Sequence, residues 1–417
     1  MRIGVVGGGA SGMTAAIFAA ISGAQVLVLE HTGRVGKKIL STGNGKCNFT
    51  NKKLSKDDYN GNHPSFAEPV IAKFSQEAAI DFFESCGLYT ISKRDGYLYP
   101  YSGQASAVLN ILRYKMESLG VLVETDVHIT QVKKEKSGKF TVWTAQDKFC
   151  FDKLILACGG NAAPNTGSDG SGYNLAQMLG HSIVKPLPVL TYLKSRDVAL
   201  KELAGVRHNA ELSLYVEGAC IQKESGELQL NKDNLSGIPV FQLSHKAIRA
   251  LDRKKTVAVH VDFLPDMNIA QLKNRLENLV NLYGDFLVSD VLCGLVHKKV
   301  VGALMHREGI SFDKKMRALS GMEQTKLVSR MKDWDFEITA YPGFEAAQAT
   351  QGGVDVLEID ENMMSRKVEG LYFAGEMVDI DGRCGGYNLQ WAWSSGYVAG
   401  CHCVNGDVTC YESVSVK

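Results

Sequence analysis

No Cys-x-x-Cys occurs in the 417 residues, although the chain carries ten cysteines. Paired thiols of the kind that hold zinc or pass electrons through a disulfide are therefore not written into the local spacing. The tightest cluster, Cys401-His402-Cys403, has no second pair at zinc-finger distance and reads as a surface coincidence, so no metal is expected. Neither charge is in excess: Lys plus Arg number 46 against 45 Asp plus Glu. With no overall basic field, neither nucleic acid nor a membrane is expected as a partner. The most apolar helical stretch, Met13 to Ile21, falls well short of the roughly 20 residues that span a bilayer. Met1-Arg2-Ile3 enters an apolar strand without the charged, apolar and small-residue zones of a signal peptide. The expectation is a cytoplasmic protein with reduced thiols. Internal repeats and low-complexity linkers are also missing. A 45% hydrophobic chain of this length suits two or three packed domains.

What is present begins at the first residues. "RIGVVGGGASGMTAAIFAAISGAQVLVLE" reads as strand, glycine turn, helix, second strand and a closing acid, Glu30. It carries G-x-G-x-x-G at Gly7, Gly9 and Gly12. In such a unit the first glycine makes the turn, the second admits a pyrophosphate, and the third lets helix and strand approach. The helix N-terminus then faces the anion, and Glu30 stands where a carboxylate accepts from an adenosine ribose. A 2′-phosphate would be repelled there, which disfavours NADP at this site. NAD and FAD both satisfy the unit.

The next stretch separates them. "GRVGKKILSTGNGKCNFTN", Gly33 to Asn51, holds four glycines, four basic residues and three asparagines. Its start resembles the R-x-G-G-R-x-x-S/T continuation of glutathione-reductase-like FAD proteins, with Arg34, Gly36, Lys37, Lys38 and Ser41 on the pattern and lysine in place of the second glycine. Basic side chains and bare amides suit a pyrophosphate running on towards a flavin. Near the other end, an apolar strand from Leu371 to Ala374 closes on Gly375-Glu376, like the element that holds a ribityl chain in that class. Gly385-Gly386 then precedes a helix expected from about Asn388 to Cys401, whose positive end would stabilise a reduced flavin. Trp391 and Trp393 on that helix read as packing. Between the ends, residues 120–160 read as a β-meander and a buried strand, Leu154 to Ala157, ending at Gly159-Gly160. Ile129, on the first meander strand, is the nearest match to the position that meets adenine.

Together with "GGNAAPNTGSDGSGYNLAQMLGH" at Gly159 to His181, "LSGIPVFQLS" at Leu235 to Ser244 and "ATQGGV" at Ala349 to Val354, these pieces resemble the aminoacetone-oxidase-like family of FAD-binding flavoproteins, which includes 3-dehydro-bile-acid reductases. Lys46 replaces a common arginine, and Ile238 separates Gly237 from Pro239. The resemblance implies an α/β fold: a glutathione-reductase-like Rossmann domain built from both chain ends, with an inserted β-rich, barrel-like subdomain and a helical subdomain. The divisions fall at residues 1–191, 192–264, 265–335 and 336–417, with Pro265-Asp266 marking the change from strands to helices. Such an insert is expected to pack firmly on the flavin domain and cover the flavin face. Cofactor contacts are expected at Gly7, Gly9, Ala10, Ser11, Gly12, Glu30, His31, Lys37, Lys38, Gly43, Asn44, Gly45, Cys47, Asn48, Ile129, Gly159, Gly375, Glu376, Gly386, Asn388 and Leu389.

The expected function is an FAD-dependent oxidoreductase passing hydride between flavin N5 and a small-molecule substrate, by reduction of a steroid-like enone or by amine oxidation. A flavin-binding sensor or regulator with little turnover is the alternative. With one fingerprint only, NADH or NADPH would serve as a transient donor without a domain of its own. Tyr387, Arg383, His245 and His306 are polar residues near the expected site or in the insert, and none is assigned as catalytic acid or base. Cys47 lacks a resolving neighbour in the sequence, so transfer is expected directly at the flavin without a disulfide intermediate, with a long-range pair to Cys384 as the alternative.

Overall fold

The computed structural model describes residues 1–93 and 96–406. The chain folds as two compact units, Met1–Pro188 with the chain from Ala347 onward, and Val189–Ala346.

The first unit is built on a five-stranded parallel sheet in the order Leu371–Phe373, Lys153–Leu156, Arg2–Val6, Gln25–Leu29, Leu122–Glu124. The central strand is buried from Ile3 to Val6, which is why it reads as an unbroken apolar run rather than an alternating one. Helix Ala10–Ile21 follows it directly, and the sheet's outer strand comes from the far end of the chain. A three-stranded antiparallel meander, Ile129–Lys134, Phe140–Thr144 and Lys148–Phe151, branches from the sheet. Phe151 lies where Gly4 leaves room, for a Cβ on Gly4 would stand 2.6 Å from its ring. The long closing helix, Tyr387–Asn405, is longer at both ends than the expected Asn388 to Cys401. Gly396 and Gly400 let it lie against the first helix, since a Cβ on either would come within 2.5 Å of the backbone oxygen of Ser11 or Ala15. Cys401 and Cys403 are buried in this helix, so the reading of that cluster as a surface feature is corrected.

The second unit contains a closed barrel of six strands, ordered Leu193–Ser195, Asn234–Ser236, Ala219–Leu230, Arg207–Val216, Val257–Asp262 and Trp334–Ala340. Two of its features depart from the expected divisions. Helix Ile238–Asp252 interrupts the segment read as β-rich, where Gly237 at φ 103 and Pro239 in the first turn start it. Strand Trp334–Ala340 closes the barrel, so a boundary at 335/336 runs through a strand. Four helices lie between the fifth and sixth strands, the first of them opened at Ile269 by a capping box of Asn268 and Gln271. Among the described residues no helix is long and apolar enough to cross a membrane.

Candidate dinucleotide site

The three fingerprint glycines differ in what surrounds them. Gly7 has φ +101, and a Cβ there would stand 2.5 Å from the Ala157 carbonyl oxygen. A Cβ on Gly12 would lie 1.9 Å from the Gly7 carbonyl oxygen, which fixes how closely helix and strand pack. At Gly9 a Cβ would meet nothing within 4 Å. The backbone there is extended, at φ −78 and ψ −169, and caps the first helix with no side-chain hydrogen bond. Gly9 therefore has no steric reason of its own to be glycine. Its bareness instead opens the helix N-terminus to an anion.

A cavity of about 250 Å³ lies over this terminus, lined from both ends of the chain. Of the expected contacts, Gly7, Gly9, Ala10, Ser11, Glu30, His31, Lys37, Lys38, Ile129, Gly159, Glu376, Asn388 and Leu389 line it. Glu30 is buried at one end. Its Oε2 accepts from the Gly8 amide at 2.7 Å and its Oε1 from the Thr32 amide at 2.8 Å, so the carboxylate is fixed in place. His31 stands between Glu30 and Asp169, with Nδ1 and Nε2 each 3.6 Å from a carboxylate oxygen.

The Lys37–Ser41 stretch is a short helix, and Gly36 before it, at φ +71, approaches Leu109 so closely that a Cβ would stand 2.2 Å from its methyl carbon. The lysine chemistry departs from expectation. Lys38 Nζ donates to Glu376 Oε2 at 2.7 Å, and Glu376 Oε1 accepts from the Thr350 amide, also at 2.7 Å. This pair joins the two chain ends across the cavity wall and neutralises one of the charges expected for a pyrophosphate.

Gly12, Gly43, Asn44, Gly45, Cys47, Asn48, Gly375 and Gly386 do not line the cavity. They shape the backbone next to it. Gly43, Asn44, Gly45 and Cys47 all have left-handed φ, at 56, 55, 81 and 54, and two of the four are not glycine. Such backbone persists only where its surroundings impose it, and it concentrates at ligand sites. The Asn48 Oδ1 accepts from the Leu98 amide at 3.1 Å, which anchors the loop to the strand Tyr97–Pro100. The closing helix anchors it further: Trp393 Nε1 donates to Phe49 O at 2.8 Å, and Gln390 Oε1 accepts from Thr50 Oγ1 at 2.6 Å. Trp391 Nε1 donates to Gly375 O at 2.9 Å, so both indoles are structural. The Asn388 amide group is spent on Gly382 and Arg383, which leaves its backbone to serve any ligand.

Burial pushes the Cys47 thiol up to about 12 and the Cys384 thiol up to about 11. Neither is a thiolate near neutral pH. Brief iodoacetamide treatment of the native protein at pH 8 is expected to modify exposed Cys150, Cys220 and Cys293 while sparing Cys47, as peptide mass spectrometry would show. Rapid alkylation of Cys47 would contradict the burial. His306 pairs with Glu202 at 2.6 Å and Arg383 lies 3.9 Å from Asp58, so both have ion-pair partners.

Sequence reasoning missed three groups here. Thr166 to Asp169 and Thr42 line the cavity from within quoted motifs that gave them no role, and Gln348 lines it just ahead of one. The Lys38–Glu376 pair spans 338 positions, beyond any local pattern. The alternating tyrosines of "YLYPY", Tyr97 to Tyr101, stand beside the left-handed loop in a run too short to mark a strand face in the sequence.

Similarity to known proteins extends over most of the chain. The family described as HI0933-like protein Rossmann domain matches residues 1–402. The 3-dehydro-bile acid delta(4,6)-reductase of Clostridium scindens is 39% identical over 402 residues, 96% of this chain and 98% of that protein. Ribosomal RNA dihydrouridine synthases of Escherichia coli and Haemophilus influenzae are 30% and 28% identical, each over 94% of this chain and over 95% and 96% of their own lengths.

Proposed function

The chain belongs to the HI0933-like Rossmann-domain family, and we propose that it is an FAD-dependent reductase acting on a carbon–carbon double bond conjugated with a carbonyl. One observation carries the cofactor half of this reading: the cavity over the open Gly9 amide end is walled by residues from both chain ends, from Glu30 to Asn388 and Leu389. Its lining suits an extended adenine dinucleotide, with the ribose at Glu30 and the pyrophosphate at the helix N-terminus. Bound FAD would supply hydride at its N5. The protein's part is to hold it, with Glu30 and the Gly9 to Ser11 turn at the adenosine end and the Gly43 to Asn48 loop and the start of the closing helix at the other. The helix N-terminus, capped by Gly386 at φ 98 without a side chain, offers its bare amides to negative charge on the reduced ring.

The reaction half rests on chemistry shared by the relatives' names. Removing the 4,6 unsaturation of a 3-oxo steroid and making dihydrouridine from uridine both saturate a C=C conjugated with C=O. Each needs hydride at the far carbon and a proton at the near one. The expectation that nucleic acid is excluded rested on overall charge alone, and net charge averages over local fields.

The test is anaerobic: protein reduced by dithionite is mixed with a 3-oxo-4,6-diene steroid acid or with a uridine-containing RNA. The proposal expects flavin reoxidation by at least one of them. A flavin that stays reduced with both, in protein that is folded and loaded, would favour the sensor. NADH and NADPH are expected to bind the oxidised protein weakly and to compete with the organic substrate, because only one strand-G-x-G-x-x-G-helix unit is present. Tight nicotinamide binding that substrate does not displace would contradict this.

A further inference from the structure

Beside the left-handed loop lies a small antiparallel sheet of three strands, Thr50–Asn51, Tyr97–Pro100 and Thr90–Ser92, in that order from one loop-bearing edge outward. Side chains alternate across a strand. Leu98 and Pro100 point inward and are buried, so Tyr97, Tyr99 and Tyr101 share the other face. Ile91 is paired with Tyr99, and the Tyr101 amide donates to Tyr89 O at 2.8 Å, which brings Tyr89, Ile91 and Lys93 onto that same face. Lys93 Nζ sits 4.8 Å from the centre of the Tyr99 ring. The outer part is open, with Tyr89 84% and Tyr101 72% exposed. At the inner part, a Cβ on Gly43 would stand 3.6 Å from the Tyr99 ring, and one on Gly385 would stand 2.6 Å from the Tyr97 ring. The tyrosine face thus runs from solvent to the two glycine motifs assigned above to the flavin end.

Among the described residues its rim is rich in positive charge, with the Glu84 carboxylate, which accepts from Thr90 Oγ1 at 2.6 Å, at its outer strand. Between Glu30 and Asp57 the sequence has seven lysines and arginines and no acid. Lys46, Lys52 and Lys53 from this stretch, with Lys93, are exposed around the sheet, and none makes an ion pair among the described residues. The Lys52 amide is held by Gly96 O at 2.9 Å, and Lys53 lies beside the same glycine.

We infer that this face is a docking surface for single-stranded RNA, on which bases stack on Tyr89, Tyr99 and Tyr101 while Lys46, Lys52, Lys53 and Lys93 meet the phosphates. From Tyr97 to Tyr101 the strand advances about 13 Å, room for two or three nucleotides. Exposed aromatics interleaved with lysines are the pattern that unpaired bases require. A steroid, in contrast, gains its affinity by being enclosed, and an open tyrosine face does not enclose it. The inference rests on the proposed reductase reading and gives that site its substrate class: a pyrimidine base carried into the flavin end by the strand it belongs to.

Binding of a fluorescein-labelled oligouridylate to the FAD-loaded protein, followed by anisotropy, tests it. Wild-type protein should bind, and Tyr89→Ala with Tyr101→Ala should weaken binding about tenfold or more while FAD content and thermal stability stay unchanged. Lys52→Glu with Lys53→Glu should lower the slope of log affinity against log salt by about 1.4, for two phosphate contacts on a single strand. Wild-type protein that fails to bind the oligonucleotide, or variants that bind it as wild type does, would overturn the inference. So would a tyrosine variant that binds RNA normally but loses flavin reoxidation by the 3-oxo-4,6-diene steroid acid, since the face would then serve the steroid. The two readings fail separately. Steroid-driven reoxidation without RNA binding removes the docking surface and leaves the reductase, whereas tyrosine-dependent RNA binding with a flavin that nothing reoxidises does the reverse.

Discussion

A Gly9→Ala variant should fold as the wild type does and purify without its yellow colour. The added methyl meets no protein atom within 4 Å, and φ −78 is comfortable for alanine, so the fold has nothing to lose. What it fills is the approach to the helix N-terminus. A pyrophosphate pushed off that end loses charge-assisted hydrogen bonds of about 1.5–3 kcal/mol each. Losing one or two corresponds to FAD affinity lower by about ten- to ten-thousandfold. Thermal unfolding of the apoproteins should coincide, and the FAD-induced rise in unfolding temperature should shrink or vanish. Gly12→Ala is the control with the opposite signature. Its methyl would meet the Gly7 carbonyl oxygen at 1.9 Å, so the apoprotein itself should be destabilised. A Gly9→Ala protein that binds FAD like wild type would mean that the anion does not sit on this terminus.

The second large effect is expected at Gly386→Ala. Here the backbone is left-handed at φ +98, and a Cβ would stand 2.5 Å from Thr50 O, an atom of the backbone. Strain of about 1–3 kcal/mol adds to an overpacking cost of about 1–3 kcal/mol. Nothing nearby can yield cheaply. Thr50 is fully buried, and its hydroxyl donates to Gln390, which in turn donates to Phe74 O at 3.1 Å and to Ser394 Oγ at 3.0 Å. The start of the closing helix should shift away from the Gly43–Asn48 loop. The expected result is lower stability together with weaker FAD binding and altered flavin absorbance, since the displaced amides are those proposed to face the ring. Unaltered flavin spectra in a folded variant would show that this helix end does not face the cofactor.

How much of this was legible in the sequence depends on distance along the chain. The first βαβ unit could be read because each of its constraints is local: the turn at Gly7, the open cap at Gly9, the close pass at Gly12 and the acid after the second strand all fall within thirty residues. The closing helix was legible from its glycine pair and apolar run, although it starts one residue earlier and ends four residues later than Asn388 to Cys401. What escaped was set by pairing across the fold. Trp334–Ala340 alternates buried and exposed residues as an ordinary strand does, and only its partners Val257–Asp262 and Leu193–Ser195 make it a barrel strand. Helix Ile238–Asp252 was hidden inside a segment judged by its neighbours, even though Gly237 and Pro239 mark its start. Lys38 looked like a phosphate ligand because its partner, Glu376, lies 338 residues away. The tyrosine face was missed for a different reason. A strand of four residues gives too short a pattern to stand out, and its meaning comes from what Gly43 and Gly385 place next to it.

The most direct measurement is a single-turnover reaction of the loaded protein. Wild-type enzyme, reduced anaerobically and freed of excess reductant, is mixed with a uridine-containing single-stranded RNA and, separately, with the 3-oxo-4,6-diene steroid acid, while flavin absorbance and product mass are followed together. The account predicts that the oxidised flavin band returns with at least one of them, in step with the gain of two hydrogens by that substrate, and that acid then releases intact FAD from the protein. A band that does not return with either, or one that returns while neither substrate gains hydrogen, would contradict it.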